Sequence, residues 1–425
     1  MNTFRLVKPL GRGLDATLRP PGSKSETIRA LVAAALATGN SRIGHPLDAE
    51  DTRFARDSLR QLGAGIDDDD GQWSVSGTGG RLHRAGAPLD AGASGLTARC
   101  LIAIAPLADG PITIVGRDRL PERPMGGLVD ALRRLGVEAR ATDGRLPVTI
   151  DGKASLPGGV VDVDSRETTQ YLTALLLAAP LAQSAIELVP IGLGGSQGYL
   201  DVTIRVMEQF GAQVERVAGG YRVEPGGYRA TQVDIEPDAS AAVYPMVAAA
   251  ITRGRVLVQG LGSRSLQPDM EIARVLATMG CEVEQTESTT IVDARDRELH
   301  PVDVDLSGSP DGSLAVAVAC LFAGGVSTLR GLGSLRFKES DRLTALAREL
   351  RRIGAEAMVD GDVLTIVPGE VTGARIETYQ DHRIAMAFGL VGLLQPGIEI
   401  SDPEVVGKTW PGYWDVLSGF AGDQE

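Results

Sequence analysis

Cysteine and histidine are both scarce in this chain of 425 residues. The three cysteines are Cys100, Cys281 and Cys320, and no two of them have the CxxC spacing. A disulfide framework is therefore not expected, and a reducing compartment fits the sequence. The four histidines are scattered and lack the spacing of metal ligands. No metal site is expected.

Excess positive charge and long apolar runs are also lacking. The net charge of −13 argues against wholesale binding to nucleic acid or acidic lipid. The longest apolar run, residues 171–182, is interrupted by Pro180 and is too short to span a bilayer. Residues 1–4 lack the basic and apolar segments of a signal peptide. We therefore expect a cytoplasmic protein of two to three domains, without a nucleic-acid or membrane partner.

One pattern recurs five times along the chain: an apolar helix end, a glycine, a small residue and a short strand. Its glycines are Gly63, Gly136, Gly211, Gly280 and Gly354, which are spaced by 73, 75, 69 and 74 residues. Glycine suits the left-handed position that ends a helix. A second pattern, a helix of small residues that leads through a turn into a β-branched strand, recurs six times with a similar period. The sequence therefore predicts six units, each longer than a solenoid repeat.

The six units fall into two groups of three, with crossings near Pro20-Pro21 and near Glu236-Pro237. Proline favours an extended backbone at both places. The predicted domains are residues 22–235 and residues 1–21 plus 236–425. The sixth unit stops near Gly419, and the alternating segment 4–18 is expected to supply its last strands. A single continuous array of units is the alternative.

Residues 21–29, Pro-Gly-Ser-Lys-Ser-Glu-Thr-Ile-Arg, form a basic, hydroxyl-rich loop that runs into an alanine-rich helix. Lys24 and Ser25 fall where the first turn of this helix should begin. A helix start offers unpaired N–H groups and partial positive charge to an anion, and Arg29 adds a forked donor one turn later. The stretch predicts a cradle for a small anion. The alternative is that Ser25 caps the helix while Lys24 and Arg29 point into water.

The six buried helices begin at corresponding places in their units, and five of the six starts carry polar side chains. The starts are Lys24-Ser25, Gly95-Leu96, Thr168-Thr169-Gln170, Asp238-Ala239-Ser240, Asp311-Gly312-Ser313 and Asp381-His382-Arg383. If the units of one domain are related by pseudo-threefold symmetry, these starts share one end of the domain. Two domains that face each other would then direct six helix dipoles at one cleft, a field suited to a multiply charged substrate.

Four segments of the chain are similar to those of a known family. The Pro-Gly-Ser-Lys-Ser loop, Glu122-Arg123-Pro124-Met125, Lys338-Glu339-Ser340-Asp341-Arg342 and Asp381-His382-Arg383-Ile384-Ala385-Met386 resemble the signatures of the 5-enolpyruvylshikimate-3-phosphate (EPSP) synthases, in that family's order. The resemblance covers nearly the whole chain. It implies an α/β (α+β) fold of two domains, each of three βαβαββ units with pseudo-threefold symmetry, an inside-out α/β barrel.

The resemblance also implies an activity. The enolpyruvyl group of phosphoenolpyruvate would pass to the 5-hydroxyl of shikimate 3-phosphate and release phosphate, a step of the shikimate pathway of aromatic amino acid biosynthesis. No cofactor and no metal is implied, and a monomer is expected. The residues implied for phosphoenolpyruvate are Lys24, Gly95, Arg123, Gln170, Arg342, Arg383 and Lys408. Those implied for shikimate 3-phosphate are Ser25, Arg29, Thr168, Thr169, Gln170, Ser196, Tyr199, Asp311, Ser334 and Lys338. Asp311 would accept the hydroxyl proton, and Glu339, with Lys24 or His382, would relay a proton to the methylene carbon.

The sequence departs from the family pattern at Ala93, Leu96 and Cys100, and these changes leave the set of anion-binding residues intact. They leave room for a sister enolpyruvyl transferase that acts on a nucleotide sugar such as UDP-N-acetylglucosamine. That sister family places a reactive cysteine on the loop that reads Pro121-Glu122-Arg123-Pro124 here. A non-catalytic anion-binding repeat protein is the remaining alternative, and Asp311 and Glu339 argue against it because acids weaken anion binding.

Overall fold

The computed structural model describes residues 4–192 and 197–420, and Ser196 lies outside them. The α-helices in this part of the chain are α1 Lys24–Leu36, α2 Glu50–Gln61, α3 Gly95–Ile104, α4 Gly126–Arg134, α5 Gln170–Ala178, α6 Gly198–Gln209, α7 Ala239–Ile251, α8 Glu271–Thr278, α9 Ser313–Cys320, α10 Arg342–Arg352, α11 His382–Val391 and α12 Tyr413–Gly419. Short 3-10 segments are Ala105–Leu107, Leu120–Glu122, Ala179–Leu181, Pro268–Met270, Gly333–Phe337 and Pro403–Lys408.

The strands are short and form six small sheets. They are β1 Phe4–Leu6, β2 Asp15–Leu18, β3 Asn40–Gly44, β4 Gly65–Asp69, β5 Gln72–Ser76, β6 Leu89–Asp90, β7 Pro111–Val115, β8 Ala139–Thr142, β9 Arg145–Asp151, β10 Gly159–Asp164, β11 Ile186–Ile191, β12 Val214–Val217, β13 Gly220–Val223, β14 Gln232–Asp234, β15 Arg255–Gln259, β16 Glu282–Gln285, β17 Thr289–Asp293, β18 Asp303–Asp305, β19 Ser327–Arg330, β20 Glu356–Asp360, β21 Val363–Val367, β22 Arg375–Ile376 and β23 Glu399–Ser401.

Five of the six sheets in the described residues follow one plan, which the third sheet along the chain illustrates; the sixth has only the strands β22, β23 and β1. Strand β10 leads into the buried helix α5 and then into β11, which pairs parallel to β10 with Gly159 opposite Ile186. The amphipathic helix α6 follows, and the hairpin β12–β13 returns to pair antiparallel with β11. The strand order β10-β11-β13-β12 recurs as β6-β7-β9-β8 and β18-β19-β21-β20. This is the βαβαββ unit that the family resemblance implies.

Three sheets are completed by strands from distant parts of the chain. Strand β14 pairs parallel with β3, so the first unit receives its first strand from residues 232–234. Strand β1 pairs antiparallel with β23 in the sixth unit. Strand β2 instead pairs parallel with β15 in the fourth unit. The expectation that both N-terminal strands complete the sixth unit is therefore wrong for β2, which is the first strand of the fourth.

The chain divides into two compact units with separate apolar cores. The middle unit is Gly22–Glu236, and the terminal unit combines the chain up to Pro21 with the chain from Pro237 onward. In the middle unit α1, α3 and α5 pack against one another, and in the terminal unit α7, α9 and α11 do so. Beyond the polar residues near their starts, these helices are apolar on all sides and almost completely buried, as a helix at the centre of a core must be. Their alanines let the helix axes approach closely.

The amphipathic helices end as the sequence predicts. Gly63, Gly136, Gly211, Gly280 and Gly354 each follow such a helix with φ of 106°, 88°, 84°, 106° and 103°. Because side chains with a Cβ rarely adopt this region, glycine stops the helix and turns the chain into the next strand. Among the described helices, none is both long enough and apolar enough to cross a bilayer.

Candidate active site

The three buried helices of the middle unit begin at one end of that unit. Arg99 in α3 donates to the side-chain oxygen of Gln170, the first residue of α5, over 2.6 Å. Asp51 joins α1 to α3, because its carboxylate lies 3.0 Å from the Lys24 ammonium and its carbonyl accepts from the Thr97 hydroxyl over 3.4 Å. The prediction that the helix starts share one end is confirmed for this unit. We call the polar residues at this end the middle cluster: Lys24, Ser25, Arg29, Asp51, Gly95, Arg99, Arg123 and Gln170.

In the Pro-Gly-Ser-Lys-Ser loop, Ser23 caps helix α1 and Ser25 does not. Ser23 is the N-cap of α1, and its hydroxyl accepts from the Glu26 N–H over 3.3 Å. The Ser25 hydroxyl accepts instead from the Arg29 guanidinium over 2.5 Å. A Cβ on Gly22 would lie 2.2 Å from the His45 carbonyl oxygen, so only glycine lets the two backbones approach here. The alternative in which Ser25 caps the helix and Arg29 points into water is wrong.

Arg29 is almost fully buried and is bound by neutral groups. It donates to the Ser25 carbonyl over 2.8 Å and to the Thr203 hydroxyl over 2.8 Å. Its guanidinium also lies over the Tyr199 ring, 5.9 Å from the centroid. Among the described residues no carboxylate is within ion-pair distance of it. Burial lowers the pKa of Arg29, which still leaves it charged at neutral pH because the ordinary value is so high.

Arg99 and Arg123 place two further guanidinium groups at the start of α3. Arg99 donates to the Pro124 carbonyl over 2.9 Å, and burial, followed by the charge of Arg123, lowers its pKa to about 10. Nε and one terminal nitrogen of Arg123 are buried without a hydrogen-bond partner in the described part of the chain. A Cβ on Gly95 would lie 2.6 Å from Arg99 and 2.8 Å from Arg123. Glycine therefore lets both cations reach the helix N-terminus, where an anion would satisfy them.

The remaining residues predicted in this unit line the starts of α5 and α6. The Thr168 hydroxyl accepts from the Gln170 N–H over 3.2 Å, and Thr169 is the N-cap residue of α5. The Tyr199 carbonyl accepts from Arg29 over 3.4 Å, which ties the first turn of α6 to α1. All three therefore lie beside the middle cluster.

Asp311 is the centre of the corresponding group in the terminal unit. Its carboxylate lies 2.8 Å from Arg342, 3.0 Å from the Lys338 ammonium and 3.4 Å from Arg383. Burial alone would raise the pKa of Asp311, but Lys338, Arg383 and Arg342 lower it well below the ordinary range. The side chain is 19% exposed, so this ionised carboxylate is accessible. With Lys338, Glu339, Arg342, Asp381, His382, Arg383 and Lys408, it forms what we call the terminal cluster.

Arg342 is the most strongly paired cation of the terminal cluster. It is 1% exposed and donates to Asp381 over 2.7 Å, to Glu339 over 2.6 Å and to Asp311. Burial would lower the pKa of Arg342, but Asp381, Glu339 and Asp311 together raise it. Arg342 is the first residue of α10, whose N-cap is Asp341. The start of α10 is thus fixed to the other helix starts by charge-assisted hydrogen bonds.

Asp381 ties together the starts of α10 and α11. As the N-cap of α11 it accepts from the Arg383 N–H over 3.0 Å, and it also accepts from the Ser340 hydroxyl over 3.0 Å. His382 is fully buried, with Nδ1 3.7 Å from the Asp381 carboxylate. Lys408, at the end of its 3-10 segment, lies 3.6 Å from Glu339.

Helices α7 and α9 of the terminal unit start at the same end as α11. Asp269 accepts from the Gly312 N–H at the start of α9 over 3.2 Å and from the Ser240 hydroxyl in α7. Asp238 is the N-cap of α7 and accepts from the Ala241 N–H over 3.0 Å. The expectation of a shared end is confirmed here too.

Sequence reasoning missed several residues of the two clusters and included one outlier. The missed residues are Asp51, Arg99 and Asp381 as a carboxylate partner, together with Ser340, which lies beside the terminal cluster and donates to Asp381. A signal existed for Arg99, since it is the only charged residue of an otherwise apolar helix. The predicted Ser334 is half-buried in the Gly333–Phe337 segment, and no described residue hydrogen-bonds its buried hydroxyl, so no hydrogen bond links it to the terminal cluster. Among the described residues no group of three histidines, cysteines or acids is arranged to hold a metal ion.

Comparison with known proteins decides the family. The profile of EPSP synthase (3-phosphoshikimate 1-carboxyvinyltransferase) matches residues 10–417. The chain belongs to the EPSP synthase family. A relative from Methanoculleus marisnigri named 3-phosphoshikimate 1-carboxyvinyltransferase is 40% identical over 412 residues, 96% of this chain and 97% of that protein. One of the same name from Shewanella amazonensis is 38% identical over 435 residues, 99% of each chain.

Solved structures agree with this family assignment. EPSP synthase from Acinetobacter baumannii matches with a TM-score of 0.82 at 25% identity, covering 99% of this chain and 98% of that one. The enolpyruvyl transferase NikO from Streptomyces tendae matches with a TM-score of 0.78 at 19% identity, covering 99% and 97%, and shares the fold. The expected fold class and the family resemblance are confirmed.

Proposed function

We propose that this member of the EPSP synthase family transfers the enolpyruvyl group of phosphoenolpyruvate to the 5-hydroxyl of shikimate 3-phosphate and releases phosphate. The observation that carries the proposal is the full-length similarity to relatives named for this reaction. The site chemistry supports it: both substrates carry phosphate, and the middle cluster contains guanidinium groups without carboxylate partners among the described residues.

The middle cluster suits the binding of anions. Arg29, with Ser25, Thr168, Thr169, Gln170 and Tyr199, would hold shikimate 3-phosphate. Lys24, Arg123 and the N–H of Gly95 would hold the phosphate and carboxylate of phosphoenolpyruvate. Bringing these like charges together requires cations fixed before the substrates arrive, and buried guanidinium groups meet that requirement because they need no reorganisation.

The terminal cluster adds acid–base groups to further cations. Arg342, Arg383 and Lys408 would complete the binding of phosphoenolpyruvate, and Lys338 that of shikimate 3-phosphate. The cations around Asp311 keep it ionised, so it can accept the proton of the 5-hydroxyl as that oxygen bonds to C2 of phosphoenolpyruvate. Glu339, with Lys24 or His382, would give a proton to C3 and take one back as the C–O bond to phosphate breaks. No cofactor is needed for this addition and elimination.

The experiment that tests the proposal is a phosphate-release assay with each substrate alone and with both. Phosphate is expected only when phosphoenolpyruvate and shikimate 3-phosphate are both present. A parallel assay replaces shikimate 3-phosphate with UDP-N-acetylglucosamine, the acceptor of the sister transferases. Turnover with the nucleotide sugar and none with shikimate 3-phosphate would overturn the assignment.

The cellular setting and the domain organisation follow as parts of the same proposal. The enzyme would act in the cytoplasm as a monomer, in aromatic amino acid biosynthesis, without a nucleic-acid or membrane partner. Residues 22–235 and residues 1–21 plus 236–425 would be its domains. Sedimentation equilibrium tests the monomer, and a dimer mass at micromolar concentration would contradict it.

A further inference from the structure

The turn that leads into α11 has an unusual backbone for its sequence. Tyr379 and Gln380 both have positive φ, 54° and 56°, and the Asp381 N–H donates to the Thr378 carbonyl over 2.8 Å. Positive φ at both central residues is the pattern of a type I′ turn, which normally requires glycine or asparagine. Tyrosine and glutamine strain this backbone, so contacts elsewhere must hold it.

Glu349 supplies those contacts from α10. Its side chain is fully buried, and one carboxylate oxygen accepts from the Tyr379 hydroxyl over 2.5 Å. The other oxygen accepts from the Glu377 N–H over 3.2 Å and lies 2.7 Å from Arg352. The carboxylate therefore binds the chain just before the turn and at the first of its two strained residues.

The same helix holds the far side of the turn through Arg342. Arg342 and Glu349 are seven residues apart, about two helical turns, so both lie on one face of α10. Arg342 binds the Asp381 carboxylate at the end of the turn, and Glu349 binds its beginning. One face of α10 thus fixes the direction in which α11 starts, and with it the position of Arg383 beside Asp311.

We propose that Glu349 is a positioning residue for the active site: through Tyr379 and the Glu377 N–H it holds residues 378–381 in the strained turn that aims Arg383. The inference rests on the proposed function, in which Arg342 and Arg383 bind phosphoenolpyruvate. Glu349 is fully buried and is not among the residues assigned to either substrate, so its effect would pass through the turn.

The first test is kinetic and uses Glu349→Gln, whose single carbonyl oxygen can replace only one of the two carboxylate oxygens that accept from the Tyr379 hydroxyl and the Glu377 N–H. The KM for phosphoenolpyruvate is expected to rise roughly tenfold or more, as when one charged-group contact is lost, while the KM for shikimate 3-phosphate changes little. Tyr379→Phe is expected to give a smaller change of the same kind. An unchanged KM for phosphoenolpyruvate alongside a lower melting temperature would mean a purely structural role and would overturn the inference.

Two control variants and one rescue variant test whether the effect of Glu349 on KM passes through the turn. Arg351→Ala removes an exposed cation of the same helix, and Glu356→Gln makes the same chemical change at an exposed strand residue; both should leave the KM unchanged. In the double variant Glu349→Gln, Gln380→Gly, glycine accepts positive φ without strain, so most of the KM increase should disappear. A double variant as impaired as Glu349→Gln alone would show that the turn is not the route.

A structural readout keeps this inference separate from the proposed reaction. Crystal structures of the natural protein and of Glu349→Gln should differ in φ at residues 379 and 380 and in the distance from Arg383 to Asp311. An identical turn in the two structures would overturn the positioning role, whatever the enzyme catalyses. Absence of phosphate release from the natural protein would overturn the proposed reaction and leave this comparison standing.

Discussion

The middle and terminal clusters both gather guanidinium groups at helix starts, but they balance the charge in opposite ways. Arg29 and Arg99 are bound by hydroxyls, carbonyls and an amide, whereas Arg342 is bound by three carboxylates. Burial lowers the pKa of Arg29 and Arg99, and neighbouring carboxylates raise that of Arg342. The buried guanidinium groups of the middle cluster thus keep a positive charge suited to an anion, whereas Arg342 in the terminal cluster is neutralised by carboxylates of the chain itself.

The difference indicates how work is divided between the two clusters. Unbalanced buried cations cost stability, and a bound phosphate or carboxylate would recover that energy as affinity. Carboxylates among cations cost affinity for anions but supply groups that can take up and release protons. The predictions below are arranged to break or sharpen this contrast, beginning with the largest expected effect.

Loss of Asp311 should have the largest effect on the reaction. Asp311→Ala is expected to lower kcat about 10²–10⁴-fold, the range of general acid–base catalysis, and Lys24→Ala in the middle cluster should also lower turnover strongly. Both variants should stay folded by circular dichroism. Asp303→Ala and Lys153→Ala, which break exposed ion pairs, are the matched controls. Unchanged rates in both test variants would favour simple helix capping instead.

Removing one cation from each cluster should separate the two in stability. Arg342→Met leaves three carboxylates without their shared partner and should cost about 3–5 kcal/mol of unfolding free energy. Arg29→Met removes a buried charge that has no carboxylate partner in the described structure, and should change stability by less than about 1 kcal/mol while impairing turnover. Urea unfolding measures both, with Arg330→Met on an exposed pair as control. Equal losses of unfolding free energy in Arg342→Met and Arg29→Met would contradict the proposed difference between the two clusters.

The lowered pKa of Asp311 predicts a dependence of stability on acid pH. The unfolded chain binds a proton at this group near the ordinary value of about 3.9, and the folded chain only at lower pH. The contribution of Asp311 is therefore present above about pH 4 and is lost as pH falls below it. The difference in unfolding free energy between the natural protein and Asp311→Asn should shrink from pH 6 to pH 3. A difference that is constant across this range would contradict the pKa shift.

The smallest expected effect concerns Cys100, which is buried near Arg29 and Arg99. A thiolate there would balance the middle cluster, but burial outweighs both arginines and raises the pKa of the thiol to about 12. Cys100 should therefore resist iodoacetamide in the folded protein at pH 8 and react after unfolding in urea. Labelling of the folded protein at Cys100, mapped by peptide mass, would show that a thiolate offsets the charge of the arginines in this cluster.

The features that the sequence predicted are those set by local physics. Helix ends follow from glycine, and helix starts follow from polar residues before apolar runs, so the positions of α1, α3, α5, α7, α9 and α11 were predictable. The pairing of β2 with β15 and of β14 with β3 was not predictable, because strand pairing depends on partners far along the chain. The sequence left open which of two neighbouring serines caps α1, because Ser23 and Ser25 are only two residues apart and both carry a hydroxyl. Asp51 and Asp381 were missed as ion-pair partners because their cations are remote in sequence.

The pairing of β14 with β3 has a consequence for the growing chain on the ribosome. Strand β3 pairs with β14, with Arg42 opposite Gln232. The first sheet of the middle unit therefore lacks one strand until almost the whole unit has been translated. Strand β1 stays unpaired for longer, because Phe4 pairs with Ser401. Strand β1 therefore has no partner until residues 399–401 have been translated, and a nascent chain stalled near residue 390 would carry this strand unpaired.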